Sequence, residues 1–128
     1  MKTCFESELV HVKYDSLKNI IIVTWITPPT SEEFREGMSA VLQAIKDLRT
    51  GKVVWDCTGL GAISPVDQEW TVHNFHNPGV KYGYSEAAIV LPEDIFTKMA
   101  VGSIVDEVGD FKTKYFDSTP AAIEWILQ

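Results

Sequence analysis

The spacing of apolar and polar positions changes along the chain, and each change marks an element. Leu9, Val10, Val12 and Tyr14 lead into Asp15-Ser16-Leu17-Lys18-Asn19, and Ile20-Ile21-Ile22-Val23-Thr24-Trp25-Ile26 follows, rich in β-branched and aromatic residues. Two such runs around a polar turn predict an antiparallel strand pair. Pro28-Pro29 ends the second run, and Thr30 with Glu33 has the spacing of a capping box, in which each side chain satisfies an amide orphaned at a helix start. Phe34, Met38, Val41, Leu42, Ile45 and Leu48 then recur at helical spacing, while Glu33, Arg35, Glu36, Lys46 and Asp47 fall elsewhere. Gly51 stands where a left-handed residue would stop this helix.

Lys52-Val53-Val54-Trp55-Asp56 is a short apolar run ending in a carboxylate, as expected of an interior strand that meets a loop at its C-terminal end. Gly59 and Gly61 make that loop, and Ser64-Pro65 places a capping hydroxyl before a proline at the first helical position. The second helix is expected to run to about Phe75, where Asn77-Pro78-Gly79 breaks it. Ala87-Ala88-Ile89-Val90-Leu91 reads as another buried strand closed by Pro92, and a third helix spans Asp94 to Val108 with Gly109 as its stop. Lys112-Thr113-Lys114-Tyr115-Phe116 is the last strand, its lysines suited to a sheet edge, and Ser118-Thr119-Pro120 caps a final helix. The order is β-β-α-β-α-β-α-β-α. Repeated strand–helix–strand units predict an α/β fold, a mixed, largely parallel sheet with covering helices, in a single domain over residues 1–128.

Composition narrows the function classes. At 128 residues, 45% hydrophobic and 23% charged, the chain can bury a core without disulfides or metals, and no apolar run approaches the length of a membrane span. The first residues, Met1-Lys2-Thr3-Cys4-Phe5-Glu6, lack the apolar stretch of a secretory signal, so the expected compartment is the cytoplasm. Reducing conditions there make Cys4 and Cys57 free thiols. A net charge of −7 and a pI near 4.8 oppose a phosphate backbone, so nucleic acid is not an expected partner.

Four sets of residues invite a chemical reading. Glu69, His73 and His76 follow at spacings of four and three, which on a regular helix gathers them on one face as metal ligands for a metal-dependent hydrolase. The pattern has no fourth ligand and departs from H-E-x-x-H; a surface ion pair with a helix-end histidine explains it equally. Asp56 and Cys57 lie at the C-terminal rim of an interior strand, where open α/β sheets bind ligands, but a carboxylate beside a thiol disfavours the thiolate. Ser64 is a phosphorylation candidate at a helix start, and equally an ordinary N-cap with Asp67. Of the tryptophans at 25, 55, 70 and 125, Trp55 and Trp125 fall in core-like elements, while Trp25 and Trp70 are free to line a cavity or a subunit contact.

With these elements in order, the chain resembles the SpoIIAA-like proteins of the STAS/SEC14 type, small bacterial α/β domains. The residues that carry the resemblance are Ile20 to Trp25 with Thr30-Ser31-Glu32-Glu33-Phe34, the strands Val53-Val54-Trp55-Asp56 and Ala88-Ile89-Val90-Leu91-Pro92, and the ending from Tyr115-Phe116-Asp117 to Ala122-Ile123-Glu124-Trp125-Ile126. In the anti-sigma-factor antagonists of that fold, a serine in an Asp-Ser-Ser-Gly stretch is phosphorylated. The corresponding loop here reads Asp56-Cys57-Thr58-Gly59-Leu60-Gly61-Ala62-Ile63-Ser64, without the tandem serines.

The resemblance implies a regulatory domain, with no enzymatic activity and no cofactor, that acts through a protein partner and as a homodimer. Its contact helix is expected to be the third, with Ile95, Phe96, Met99, Ile104 and Val108. The SEC14 side implies instead a small apolar ligand or lipid at the sheet rim, with Trp55, Asp56, Cys57, Ser64 and Trp70 as the candidate binding residues.

Overall fold

Strand pairing begins earlier in the chain than the alternation of side chains shows. The computed structural model, which describes residues 1–128, opens with β1 (Lys2–Glu6), antiparallel to β2 (Val10–Asp15), which is antiparallel to β3 (Ile20–Trp25). The expected order thus gains a leading edge strand. Its register shifts between Thr3 and Phe5, and neighbouring Cys4 and Phe5 both pack against the core. A bulge of this kind breaks the period of two by which a strand is read from sequence.

Beyond β3 come α1 (Ser31–Leu48), β4 (Lys52–Asp56), β5 (Glu86–Val90) and β6 (Lys112–Phe116), and the sheet order is the chain order, with β3 to β6 all parallel. Three successive crossovers step the same way across the sheet, and right-handed crossovers then put every connecting helix on one face. That face carries α1, the segment of α2 (Pro65–Thr71) and α3 (Asn77–Lys81), and α4 (Ile95–Val108). Only α5 (Thr119–Ile126), which follows the last strand, turns back over the other face.

The core divides accordingly. Alternate strand residues such as Val12, Val23, Trp55 and Ile89 face Phe34, Val41 and Ile45 of α1, with Phe75 and Val101 beyond them. Ile20, Val54, Ala88 and Val90 face Ala122 and Ile126 of α5. Each fully buried Ile or Val contributes roughly 1.5–3 kcal/mol.

The helix starts follow the sequence closely. Thr30 Oγ1 accepts from the Glu33 amide (3.2 Å) and Glu33 Oε1 accepts from the Thr30 amide (2.9 Å), which completes the capping box. The stop of α1 differs from expectation. Arg49, with φ 52° and ψ 44°, takes the left-handed position, and Gly51 does not have positive φ. Gly51 is needed for close approach instead: its carbonyl accepts from the Ser85 and Glu86 amides, and a β-carbon would strike the Gly83 carbonyl.

Polar ties fix the layers. The Asp67 carboxylate, 4% exposed, accepts from Ser31 Oγ and from Arg35 Nε, both at 2.9 Å, and so binds the first turn of α2 to α1. At the other end of the parallel strands, Glu86 pairs with Lys112 Nζ at 2.6 Å and with Lys52 Nζ at 3.6 Å. These three residues are cross-strand partners in register, so the pairing aligns β4, β5 and the edge strand β6.

Gly59, in the loop after β4, lies so close to the Trp25 and Ile26 carbonyls that a β-carbon would collide with backbone. Gly59→Ala is expected to lower stability by about 2–3 kcal/mol in urea unfolding. Gly102→Ala in α4, where a β-carbon meets no atom within 4 Å, is expected to raise it by about 0.5–1 kcal/mol.

Candidate functional site

Strand alternation separates the two residues at the end of β4. Trp55 enters the thick helical layer, only 6% exposed, while the half-buried Asp56 accepts from Thr58 Oγ1 (2.6 Å) and from the Thr58 amide (3.1 Å), which closes the following turn. The Trp55 indole can only donate, and buried without a partner it would be costly. Its Nε1–H donates to the Tyr84 hydroxyl at 3.0 Å. Tyr84 stands just before β5 and is itself buried; that burial, opposed by the indole hydrogen bond, pushes its ionisation above the ordinary phenol value.

The helix opposite Trp55 is irregular in a way that shapes the site. Asn77-Pro78-Gly79 does not break it. Between α2 and α3, Val72–His76 forms a π-turn in which the Asn77 amide reaches back to the Val72 carbonyl, and the helix resumes to Lys81. Pro78 has no amide to offer the preceding turn, and a widened turn accommodates its ring where a regular α-helix would clash. The Asn74 side-chain amide donates to the Trp70 carbonyl at 3.1 Å within this stretch.

The turn carries Phe75 and His76 towards Tyr84. Phe75 meets Trp55 and Tyr84 edge-on at 5.3 and 5.5 Å, and His76 lies 5.7 Å from Tyr84 and 4.6 Å from Phe111.

These rings border a cavity of about 80 Å³ between β3–β5 and α4. One water needs only about 10–15 Å³ by the same measure, so the space is several-fold larger. Sixteen of its nineteen lining residues are hydrophobic, which leaves Thr71, His76 and Thr113 as the polar ones, and no Lys, Arg, Asp or Glu faces it. Thr71 Oγ1 is already engaged with the Asp67 carbonyl at 2.7 Å. A cavity so lined holds water poorly and suits apolar atoms.

The candidate residues divide around this space. Trp55 and Cys57 lie on its wall together with Trp25. Burial and the adjacent Asp56 push the Cys57 thiol up to about 12, so it stays protonated and is no nucleophile at neutral pH. Ser64 lies elsewhere: its Oγ caps α2 by accepting from the Asp67 amide (3.1 Å), beside a more polar hollow of about 230 Å³ at the starts of α1 and α2. Trp70 is also outside the cavity, with its ring edge-on to Phe34 at 6.5 Å and under the Arg35 guanidinium at 5.2 Å.

Glu69 and His73 approach to 3.9 Å on the exposed surface, but His76 turns away to the aromatic cluster. The three do not converge, and no group of three His, Cys, Asp or Glu side chains is arranged to hold a metal ion. The π-turn is the physical reason, because the spacing of four and three gathers residues on one face only in a regular helix.

Tyr84, Phe111 and Thr113 are cavity residues without a readable signal in the sequence, and His76 is readable only as a metal-ligand candidate on a regular helix; Pro78 four positions after Asn74 is the one hint of an irregular turn. Outside the cavity, α4 exposes Ile95, Phe96 and Met99 to 61%, 66% and 63%. No helix is long and apolar enough to cross a membrane.

No protein-family model and no curated protein matches this sequence. Among solved structures, the chain is similar to an uncharacterized protein of the DUF3478 family from Shewanella loihica PV-4, which has a SpoIIAA-like fold. The two share 15% identity at a TM-score of 0.61, and the match covers 95% of this chain and 98% of that one. The fold is therefore SpoIIAA-like, and likeness at that identity carries the fold alone.

Burial against the rings lowers the ionisation of His76 below its ordinary 6.5. The unfolded chain then binds the proton more readily than the folded one. The stability tied to neutral His76 is complete above pH 6.5 and is lost as pH falls through the lower folded value. In urea unfolding between pH 7.5 and 5.5, His76→Gln is expected to lose less stability than the wild type; equal losses would show that His76 is not held neutral.

Proposed function

We propose that this protein is a non-enzymatic binding module that takes a small apolar molecule into the cavity between β3–β5 and α4. The observation that carries this reading is the cavity itself, a space in the thick layer lined almost wholly by hydrophobic side chains. Two features support it. The π-turn replaces regular helix on the cavity wall, and such turns are frequent at functional sites. The Trp55–Tyr84 hydrogen bond holds the wall in shape from two elements, which favours a preformed site.

A protein that binds through this cavity is stabilised by its ligand. Saturation at about 100 times the dissociation constant adds about 2.7 kcal/mol, a rise of several degrees in Tm. We expect some members of a panel of small aliphatic and aromatic molecules to raise Tm and to alter the fluorescence of Trp25 and Trp55. Ala87→Leu, which fills the wall from β5, is expected to abolish both effects while the protein stays folded. No response from any member of the panel would count against the reading.

A second reading rests on the outer face of α4. Ile95, Phe96 and Met99 are exposed together there, while Ala100 and Val101 of the same helix are buried beneath. Apolar side chains presented in one place favour a regulatory role through protein contact, with a second copy of this chain as the simplest partner. Light scattering at high micromolar concentration is expected to give a dimer mass that Phe96→Glu halves; a monomer mass for the wild type would remove self-association.

A further inference from the structure

The phenol of Tyr84 leaves one hydrogen-bonding valence unspent inside an apolar wall. The Trp55 indole is a donor only, so in that bond the Tyr84 oxygen accepts and its own proton remains free to be given. No acceptor in the chain takes that proton, although Tyr84 is only 6% exposed and lines the cavity. Burial keeps the phenol protonated, so the hydroxyl is a donor across the physiological pH range. His76, the other polar group nearby, touches Tyr84 and Phe111 through ring faces and edges.

The wall also limits the charge a ligand can bring. It holds no Lys or Arg, and the chain carries a net charge of −7, so a carboxylate in the cavity would lose its water without gaining a cation.

We infer that the ligand is a neutral apolar molecule with one hydrogen-bond acceptor, of the ketone or ester class, whose oxygen receives the Tyr84 proton while its hydrocarbon body fills the space beside Trp55 and Phe75. The inference rests on the cavity being a ligand site. It adds the head group that the site selects.

Cyclohexanone, its isostere methylenecyclohexane, which lacks the acceptor, and cyclohexanecarboxylate are the probes, titrated into the full chain at pH 8. Cyclohexanone is expected to bind at least ten-fold more tightly than the carboxylate. The infrared carbonyl band of the bound ketone is expected below its position in cyclohexane solvent, as hydrogen bonding requires. Two variants separate the donors. Trp55→Phe keeps the lowered band, because the Tyr84 hydroxyl is still present. Trp55→Phe/Tyr84→Phe returns the band to its alkane position and weakens cyclohexanone about five-fold relative to methylenecyclohexane, the worth of one neutral hydrogen bond.

A band at the alkane position in the wild type overturns the inference without touching the cavity reading, as does an unchanged band in the double variant. Carboxylate binding as tight as that of the ketone also overturns it. Failure of all three probes while other members of the panel still raise Tm overturns the inference alone, and failure of the probes and the whole panel overturns both.

Discussion

The direction in which the chain crosses the sheet governs most of what this protein can do. Because β3, β4, β5 and β6 are laid down in order, the three right-handed crossovers between them must return over the same face. Three helical connections therefore crowd one side, while α5 alone, with Ala122 and Ile126, seals the other. The crowded side is where large aromatic residues are spent, and there packing leaves a cavity. The thin side is closed by small and branched residues together with the partly buried rings of Phe116 and Trp125.

Within the crowded side, a local conflict is resolved in favour of the site. A proline in mid-helix would ordinarily kink or end the helix, since it lacks the amide and clashes with the turn before it. Here the turn widens instead, from Val72 to His76, and the helix continues through Pro78 to Lys81. The widening delivers Phe75 and His76 to the Trp55–Tyr84 pair and takes His76 out of line with Glu69 and His73. The same irregularity thus removes a metal-like arrangement and builds an aromatic one.

The helix that roofs the cavity is also the least committed to one environment. Ala100 and Val101 are buried and Ile104, Val105 and Val108 line the space below, yet Ile95, Phe96 and Met99 face outward. A surface helix normally segregates its apolar stripe from a polar one. This one is apolar on both sides, so the same element roofs the cavity and presents an outer apolar surface. The mainly polar ties elsewhere, Asp67 with Ser31 and Arg35 and Glu86 with its two lysines, hold α2 and the strands rather than α4.

Local chemistry determined the elements and most of their ends. The capping box at Thr30, the Ser64-Pro65 start, Ser118 as a cap, the stop of the third helix at Gly109 and the strand Lys52–Asp56 were all legible, because each depends on residues within one turn or one strand. The fold class followed from their alternation. What only the tertiary structure decided is long-range or depends on a broken period: β1 hidden by its bulge, the left-handed stop at Arg49 rather than Gly51, and the helix that continues past Asn77-Pro78-Gly79. The site is of the same kind. Trp55 and Cys57 could be placed at a strand end from sequence, but Tyr84 reaches Trp55 across 29 positions and His76 comes in through a widened turn. No periodicity encodes such a meeting, since it arises from which strands are neighbours and on which face their connections return.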